Sequence, residues 1–399
     1  MAEEIWEVAR TLLLMTSKKF LYLSIGLLFY WLFTITILHN NLNTPIRIFS
    51  DEFDRFVYFQ RGSWLPNDLV PFRDVLSEYP QVPTYLFGLL RLVSLKDVDM
   101  AIAYWKFSAV FSMLMLICLV AIINILINIL PNKKYLAYLL LLPAPLYFTF
   151  NRFDVLPALL SLLAFQMIEQ KRWNLAAFLL AIGTMTKWYP CLLLPVSFAY
   201  CYRTEQRIHW QMVLIFLVTC LFIVLPTYIF GGMDAVLAPY RFHNQRSIET
   251  VSLPALVSNL LNAENSIQST LMPLFFVLQL LPAIFAIFFR INTHEKLLYW
   301  YIIIICNFII FARIYSPQWL LWVFPFFILS LKNKIDIGIA VFYGISNYIG
   351  FPITWDYFGK SSPQLAIMGA LHIIILAAII WSAVQKLGRQ NSNLLIERA

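Results

Sequence analysis

The sequence predicts an all-α integral membrane protein, a polytopic bundle of about twelve helices (roughly 10–13) with further short helices in its outer loops. Three observations predict it. Of 399 residues, 61% are hydrophobic and only 13% charged, against about 25% charged in a soluble domain. Apolar runs recur from end to end, many near the roughly 20 residues that a bilayer crossing needs. Lys and Arg gather in every second connection between the runs, as the cytoplasmic ends of spans do. The same composition, with a mean hydropathy of +0.74, excludes an ordinary soluble enzyme, a disordered chain and a collagen-like fibre. The net charge is +8, but the basic residues sit between apolar runs and form no single stripe, which argues against a nucleic-acid partner. Cys118, Cys191, Cys201, Cys220 and Cys306 lie in or beside apolar runs and make neither a disulfide framework nor a zinc spacing.

Each element follows from these rules. Residues 1–19 carry Glu3, Glu4, Glu7 and Arg10, which suit a helix on the cytoplasmic surface better than a signal peptide. Lys18 and Lys19 place this end inside, and a first span follows over roughly 20–39. A first outer loop covers 40–100. Its apolar piece Pro80 to Leu95 contains two prolines and reads as an outer juxtamembrane helix, because a crossing there would invert every later basic pair. The second span, roughly 103–130, returns to Lys133 and Lys134. Spans three and four, roughly 135–150 and 154–169, return to Lys171 and Arg172. Spans five and six, roughly 174–186 and 188–202, return to Arg203 and Arg207. The seventh, roughly 210–230, opens a second outer loop at 231–270. Five more spans return in turn to Arg290 and Lys296, to Lys332 and Lys334, and to Lys386, Arg389 and Arg398, leaving both termini inside. The chain is one membrane domain, 1–399.

The informative residues are those that the positive-inside rule leaves over. On the expected outer face, polar side chains concentrate in five places. The first holds Asp51, Glu52, Asp54, Tyr58, Arg73, Glu78 and Tyr79. The second is Asn151-Arg152-Phe153-Asp154, and the third Lys187-Trp188-Tyr189-Pro190. The fourth runs from Arg241 through His243 and Arg246 to Glu249. The fifth is Arg313 to Gln318. Ionisable groups at membrane depth cost about 2.5–3.5 kcal/mol on insertion scales, and they pair or line a cavity. Acids (Asp51, Asp54) beside cations (Arg152, Lys187, Arg241, Arg246, Arg313) suit group transfer from a lipid phosphate: an acid takes the acceptor's proton and the cations hold the departing phosphate. A lipid flippase or transporter needs similar cations, but also polar clusters on both faces. Asp51, Glu52 and Asp54 could also hold a hard cation. His243 has no second histidine within helical reach, so no zinc site is expected.

Six strings in order, SDEFDRFVYF, VPFRDVLSEYPQVPTYLF, NRFDVLPALLSLLAF, LLAIGTMTKWYPCLLLP, YRFHNQRSIETVSLPAL and SPQWLLWVFP, resemble the GT-C superfamily of membrane glycosyltransferases. Within it, they are most similar to the bacterial polyprenol-phosphate-mannose-dependent mannosyltransferases. The resemblance implies a helical GT-C bundle in the plasma membrane with its site facing outward. It implies a polyprenyl-phosphate sugar as donor, a glycan or glycolipid as acceptor, transfer of a hexose such as mannose with inversion, and no metal cofactor. It carries the base to Asp51, with Asp54 as the rival, and the donor phosphate to Arg152, Lys187 and Arg246. Arg241 and Arg313 join the phosphate set. Glu52, Tyr58, Arg73, Glu78, Tyr79, Asp154, Tyr189, His243, Glu249 and Gln318 form the expected substrate-binding set. The chain departs from the pattern at Glu78-Tyr79-Pro80-Gln81, where Glu-Tyr-Pro-Pro is common, and at Glu249-Thr250.

Overall fold

The computed structural model describes residues 18–40, 48–94, 99–261 and 271–396. The surface helix expected over 1–19 lies outside them, save for the first residues of α1 (Lys18–Asn40). Among the described residues the elements are helices, and the one β-bridge, Pro71 with Val75, belongs to no strand.

The pillar of the bundle is α4 (Met100–Ile129), the expected second span. Asp99 caps it, its carboxylate accepting from the Ala101 amide at 2.8 Å. The helix is apolar on every face, as a helix surrounded by protein and lipid must be, and Phe107, Phe111, Met115, Leu119 and Ile123 are fully buried. Against it pack α1, two short helices, α2 (Glu52–Arg61) and α3 (Gln81–Arg91), and then α5 (Pro143–Asn151) and α6 (Val155–Glu169). The segment expected to be the first loop thus contains helices.

The expected third span, 135–150, is broken. Lys134–Leu141 forms a 3₁₀ stretch, and α5 begins only at Pro143. Leu142, directly before a proline, is held extended at φ −57°, ψ 155°, which a helix cannot continue through. The nine residues of α5 reach only about 14 Å. They meet α6 across a bend of 109° at residues 152–154, so the second polar string sits at a corner inside the bundle. Next come α7 (Trp173–Thr186), a 3₁₀ turn at Tyr189–Leu192 and α8 (Leu193–Glu205). Among the described residues four helices can cross a membrane by length and composition: α4, α9 (Trp210–Gln245), Lys334–Phe358 and Pro363–Gln390. The bent α5–α6 pair would be a fifth. The remaining apolar helices run 10–17 residues, so the twelve runs read from charge include helices shorter than a bilayer.

The second outer loop also begins differently from expectation. The chain breaks at Gly232, whose φ of +73° is open to glycine, but it resumes as helix to Gln245. The first loop is clipped to this break. Tyr85 Oη lies 2.5 Å from Thr227 Oγ1, and Arg73 donates to the Phe230 carbonyl at 3.2 Å. Beyond lie α10 (Leu253–Leu261), α11 (Met272–Phe285), α12 (His294–Ile310), α13 (Leu320–Ser330), α14 (Lys334–Tyr348), the short α15 (Trp355–Phe358) and the long α16 (Pro363–Ile396), which packs along α12 and α14.

The α2–α3 pair is held by close approaches at two glycines, Gly62 against the Phe87 backbone and Gly88 against the Trp64 ring. The Trp64 ring lies flat against α3 at Gly88 and donates from Nε1 to the Thr84 carbonyl at 3.1 Å. A Cβ at Gly88 would stand 2.4 Å from that ring. Gly88→Val should therefore destabilise the protein by about 1–3 kcal/mol through overpacking. Gly338→Ala, with nothing within 4 Å of its Cβ, should leave stability unchanged or slightly higher. Melting of both variants in detergent checks this, and equal melting would show that Trp64 moves freely.

Candidate active site

The site starts at the head of α2. Asp51 is its N-cap, extended at φ −99°, ψ 110°, and its Oδ1 accepts from the Phe53 amide at 3.0 Å. Glu52 and Asp54 follow in the first turn, where the helix dipole favours carboxylates. The Asp51 amide donates to Asn151 Oδ1 at 2.9 Å, which ties this turn to the last residue of α5. The next residue, Arg152, leaves the helix in an extended conformation (φ −137°, ψ 154°). Its guanidinium then grips both acids: Nη2 lies 2.5 Å from Asp51 Oδ2, and Nε 2.7 Å from Asp54 Oδ2. Arg152 is 4% exposed. Arg55, also buried, donates to Ser50 and steadies the turn from below.

The two acids differ in freedom. Both Asp51 oxygens are engaged, one by Phe53 and one by Arg152, whereas the Asp54 side chain keeps 24% exposure. Burial pushes the Asp51 carboxyl up, but the Arg152 charge and hydrogen bond, the Phe53 amide and Arg55 together outweigh it and hold Asp51 below the usual carboxylate range. Burial raises Asp54, and the neighbouring Asp51 and Glu78 charges raise it further. Arg152 and Lys187 only partly offset this, so Asp54 lies above the usual range. Environments that push two carboxyls apart separate their roles in acid–base chemistry.

Lys187 forms the opposite wall. It ends α7, extended at φ −150°, ψ 140°. Its Nζ lies 3.5 Å from Asp154 Oδ1, 4.6 Å from the centre of the Phe153 ring and 5.4 Å from that of Tyr79. Asp154 is fully buried and accepts from Trp322 Nε1 at 3.0 Å. Arg152 and Asp154, two residues apart, thus serve different partners and do not pair with each other. Tyr79 packs edge-on against Phe153. Glu78 pairs with Arg61 at 2.8 Å, and the Glu78 carbonyl lies 2.9 Å from His243 Nε2. Trp188 stacks on Tyr240 and meets His243 edge-on, which brings the end of α9 to this wall. A second knot closes the loop after α9: Arg246 pairs with Glu249 at 2.5 Å, and Arg313 donates to the Asn244 and Arg246 carbonyls at 2.6 and 3.0 Å.

The fold therefore brings together Asp51, Asp54, Glu78, Tyr79, Arg152, Asp154, Lys187 and His243, with Arg246, Glu249 and Arg313 in the adjoining loop. It sets two others apart. Arg73 pairs with its neighbour Asp74, and Arg241 with Asp234, both on the surface. Tyr58 and Tyr189 are buried in the wall of the site, Tyr58 packed among Phe87, Phe111 and Phe153 and edge-on to Tyr79, and Tyr189 stacked on Trp322 behind Asp154. The Glu52 carbonyl accepts from Tyr104, and Gln318 lies in the 3₁₀ turn at Pro317–Trp319. Sequence reasoning left Asn151 and Trp322 out of the site. Both stand within the strings that carried the resemblance, but nothing in the strings says that one holds Asp51 and the other Asp154. Among the described residues no three His, Cys, Asp or Glu side chains are placed to hold a metal ion.

The sequence model of glycosyltransferase family 87 matches residues 79–317, more than half of the chain. The chain belongs to glycosyltransferase family 87. That is a GT-C-like family of membrane glycosyltransferases, in agreement with the all-α architecture. No curated protein matches the chain. The family 87 match takes in Arg152, Asp154, Lys187, His243, Arg246 and Arg313 but begins after the acids of α2, which join the matched segment through Arg152.

The acid pair makes a stability prediction. Asp51, lowered on folding, adds stability at neutral pH that is lost as pH falls through its lowered pKa. Asp54, raised on folding, subtracts stability at neutral pH, and the deficit vanishes as pH falls below its ordinary value of 3.8. Asp51→Asn should therefore lower the melting temperature at pH 7, while Asp54→Asn should leave it unchanged or raise it. Melting curves at pH 7 decide the matter, and the reverse order would contradict this reading of the pair.

Proposed function

We propose that this family 87 glycosyltransferase moves a hexose, mannose first, from a polyprenyl phosphate to a hydroxyl of a glycan or glycolipid, with inversion. The observation that carries the proposal is the acid pair clamped by Arg152 opposite Lys187. An acid with a raised pKa and an open edge suits a general base, and a lysine flanked by rings and one long ion pair suits a phosphate.

In this reading Asp54 is the base. Asp51, to which the resemblance first carried that role, is the positioning group that fixes Arg152 and the head of α2. The Asp54 carboxylate takes the proton of the acceptor hydroxyl. The acceptor oxygen bonds to the anomeric carbon as that carbon's bond to the phosphate oxygen breaks, and the electron pair leaves with the polyprenyl phosphate. Attack opposite the leaving group inverts the anomeric centre. Lys187 and Arg246 take up the charge developing on the phosphate. Arg152, consumed by two carboxylates, acts on the base and not on the phosphate, and Arg313 holds the loop that presents Arg246. Because Arg152 occupies the carboxylates that a divalent cation would need, transfer proceeds without one. The site faces outward from a bacterial plasma membrane, with both termini in the cytoplasm.

The test is release of polyprenyl phosphate from a panel of radiolabelled polyprenyl-phosphate hexoses by the purified protein, with glycosides or a membrane lipid extract as acceptor. Release should survive EDTA. Asp54→Asn should cut kcat/KM by about 10²–10⁴, the usual contribution of a positioned base, with a smaller loss for Asp51→Asn. Full loss in Asp51→Asn with near-normal turnover in Asp54→Asn would exchange the two roles. Because the base must be ionised, kcat/KM should rise with pH through an acid limb above the ordinary carboxylate range. Lys187→Met should move that limb higher still, since the lysine charge pulls Asp54 down. A limb left in place in that variant would remove Lys187 from the site.

A further inference from the structure

One buried side-chain amide on the turn that carries Glu78 and Tyr79 has no hydrogen-bond partner. Gln81 opens α3, three residues after Glu78, and is 1% exposed. Both its Oε1 and its Nε2 are buried without a hydrogen bond. Buried polar groups are paired in roughly 90% of cases or more, and leaving one unpaired costs about 1–3 kcal/mol. The neighbouring buried hydroxyls show that this turn can satisfy its polar atoms. Ser77 Oγ and Thr84 Oγ1 lie 2.7 Å apart, and Thr84 Oγ1 also donates to the Pro80 carbonyl at 3.2 Å. Among the buried polar side chains of this turn Gln81 is the one left out, and the turn also carries Glu78 and Tyr79, which belong to the wall of the site. Tyr79 faces Lys187, and the Glu78 carbonyl meets His243. The helix it begins has no side-chain cap.

The chemistry of the group narrows the ligand. A primary amide presents donor and acceptor side by side. A phosphate would use only the donors and a cation only the carbonyl, whereas a hydroxyl both gives and takes. We infer that Gln81 is a specificity-determining residue that pairs with one sugar hydroxyl of the bound substrate, on the donor hexose or on the acceptor glycan. The inference rests on the transfer reading above and adds to it the group that reads the sugar. Gln81 touches no reacting atom in this role. It rewards the hexose whose hydroxyl satisfies the amide, because a sugar lacking that hydroxyl leaves the amide unpaired in the complex as well.

The experiment is a set of double-substitution cycles on purified protein. Wild type and Gln81→Met, which keeps the shape and removes both polar atoms, are assayed by kcat/KM. One series uses the best hexose donor and its monodeoxy analogues, and the other uses the acceptor and its monodeoxy analogues. One deoxy analogue should lose roughly tenfold or more with wild type, matching one unpaired buried group. Gln81→Met should lose a similar factor on the full sugar and nothing further on that analogue. Non-additivity in the donor series assigns the hydroxyl to the hexose, and in the acceptor series to the glycan. Melting of the ligand-free variant should be unchanged or higher, since an unpaired buried group has gone. Gln81→Asn, keeping the amide one methylene shorter, should recover part of the discrimination.

Additive losses in both series would overturn the inference. So would a lowered melting point with equal losses on every substrate, because Gln81 would then be a packing residue. These outcomes leave the transferase active and its mechanism standing. A wild type that releases polyprenyl phosphate from no donor would instead fail the transfer reading, and the inference with it.

Discussion

The site depends on one guanidinium. Arg152 is almost fully buried between two carboxylates, and a buried ion is tolerated only when its partners and hydrogen bonds are nearly complete. Removing Arg152 would leave two carboxylates without their partner, and breaking a buried pair in that way typically costs about 3–5 kcal/mol. The other arrangements follow from meeting that condition. Asn151 anchors the Asp51 amide, the α2 N-terminus supplies Phe53 N–H, and the Asn151 carbonyl accepts from Arg152 Nη1 at 3.1 Å. The head of α2 is thereby fixed to a corner of the helical bundle a hundred residues later in the chain.

That corner exists because helices are broken where they would otherwise run on. Pro143 starts α5 late, Arg152 leaves it early, and the 109° bend into α6 turns the 152–154 segment inward. Lys187 is presented in the same way, by an extended residue between α7 and the 3₁₀ turn at Tyr189. Both cations are therefore carried on irregular backbone walled by packed helices. Non-helical backbone is tolerated at membrane depth in such a place, because protein and not lipid surrounds it. The rings of Phe153, Tyr79 and Trp322 line the Lys187 side and keep the local dielectric low.

Much of this was legible in the sequence, and the part that was not has physical causes. Composition and the spacing of basic residues are properties of the whole chain, so the all-α membrane class followed from them directly. Acids and cations stranded on the face opposite the basic pairs marked the site, because their insertion cost demands a function or a partner. Partner choice was not legible. Arg152 and Asp154 are two residues apart and read naturally as a pair, yet the bend at Phe153 sends one to α2 and the other to Lys187 and Trp322. Arg73 and Arg241 carry the same charge as Lys187 but lie on exposed turns beside Asp74 and Asp234, a difference that a string of residues does not contain. The extent of individual helices was misread for a related reason. Hydropathy sees apolar length, whereas the break at Leu142 and the resumption after Gly232 are set by single backbone conformations.

The balance between Asp51 and Asp54 shows how one fold makes two chemically different groups from the same residue type. They stand three residues apart on one turn and share one arginine. Asp51 receives, in addition, a backbone N–H at the cap position, which only the residue preceding the helix can accept. Asp54 receives none there, keeps an exposed edge and faces the charge of Glu78. The Arg152 charge and hydrogen bond, the capping N–H and Arg55 hold Asp51 down against its burial, whereas burial and the neighbouring carboxylates hold Asp54 up. The same accounting applies to Lys187. Its ammonium has three N–H groups, and the one carboxylate beside it stands at a loose 3.5 Å while aromatic rings supply the rest of its surroundings. Rings attract a cation without using up its directed hydrogen bonds, so an arriving anion can take those bonds without first displacing a tight ion pair. Arg152, with its carboxylates at 2.5 and 2.7 Å, has no such latitude. The two cations thus differ in their pairing, tight against two separate carboxylates for Arg152 and loose within an aromatic box for Lys187.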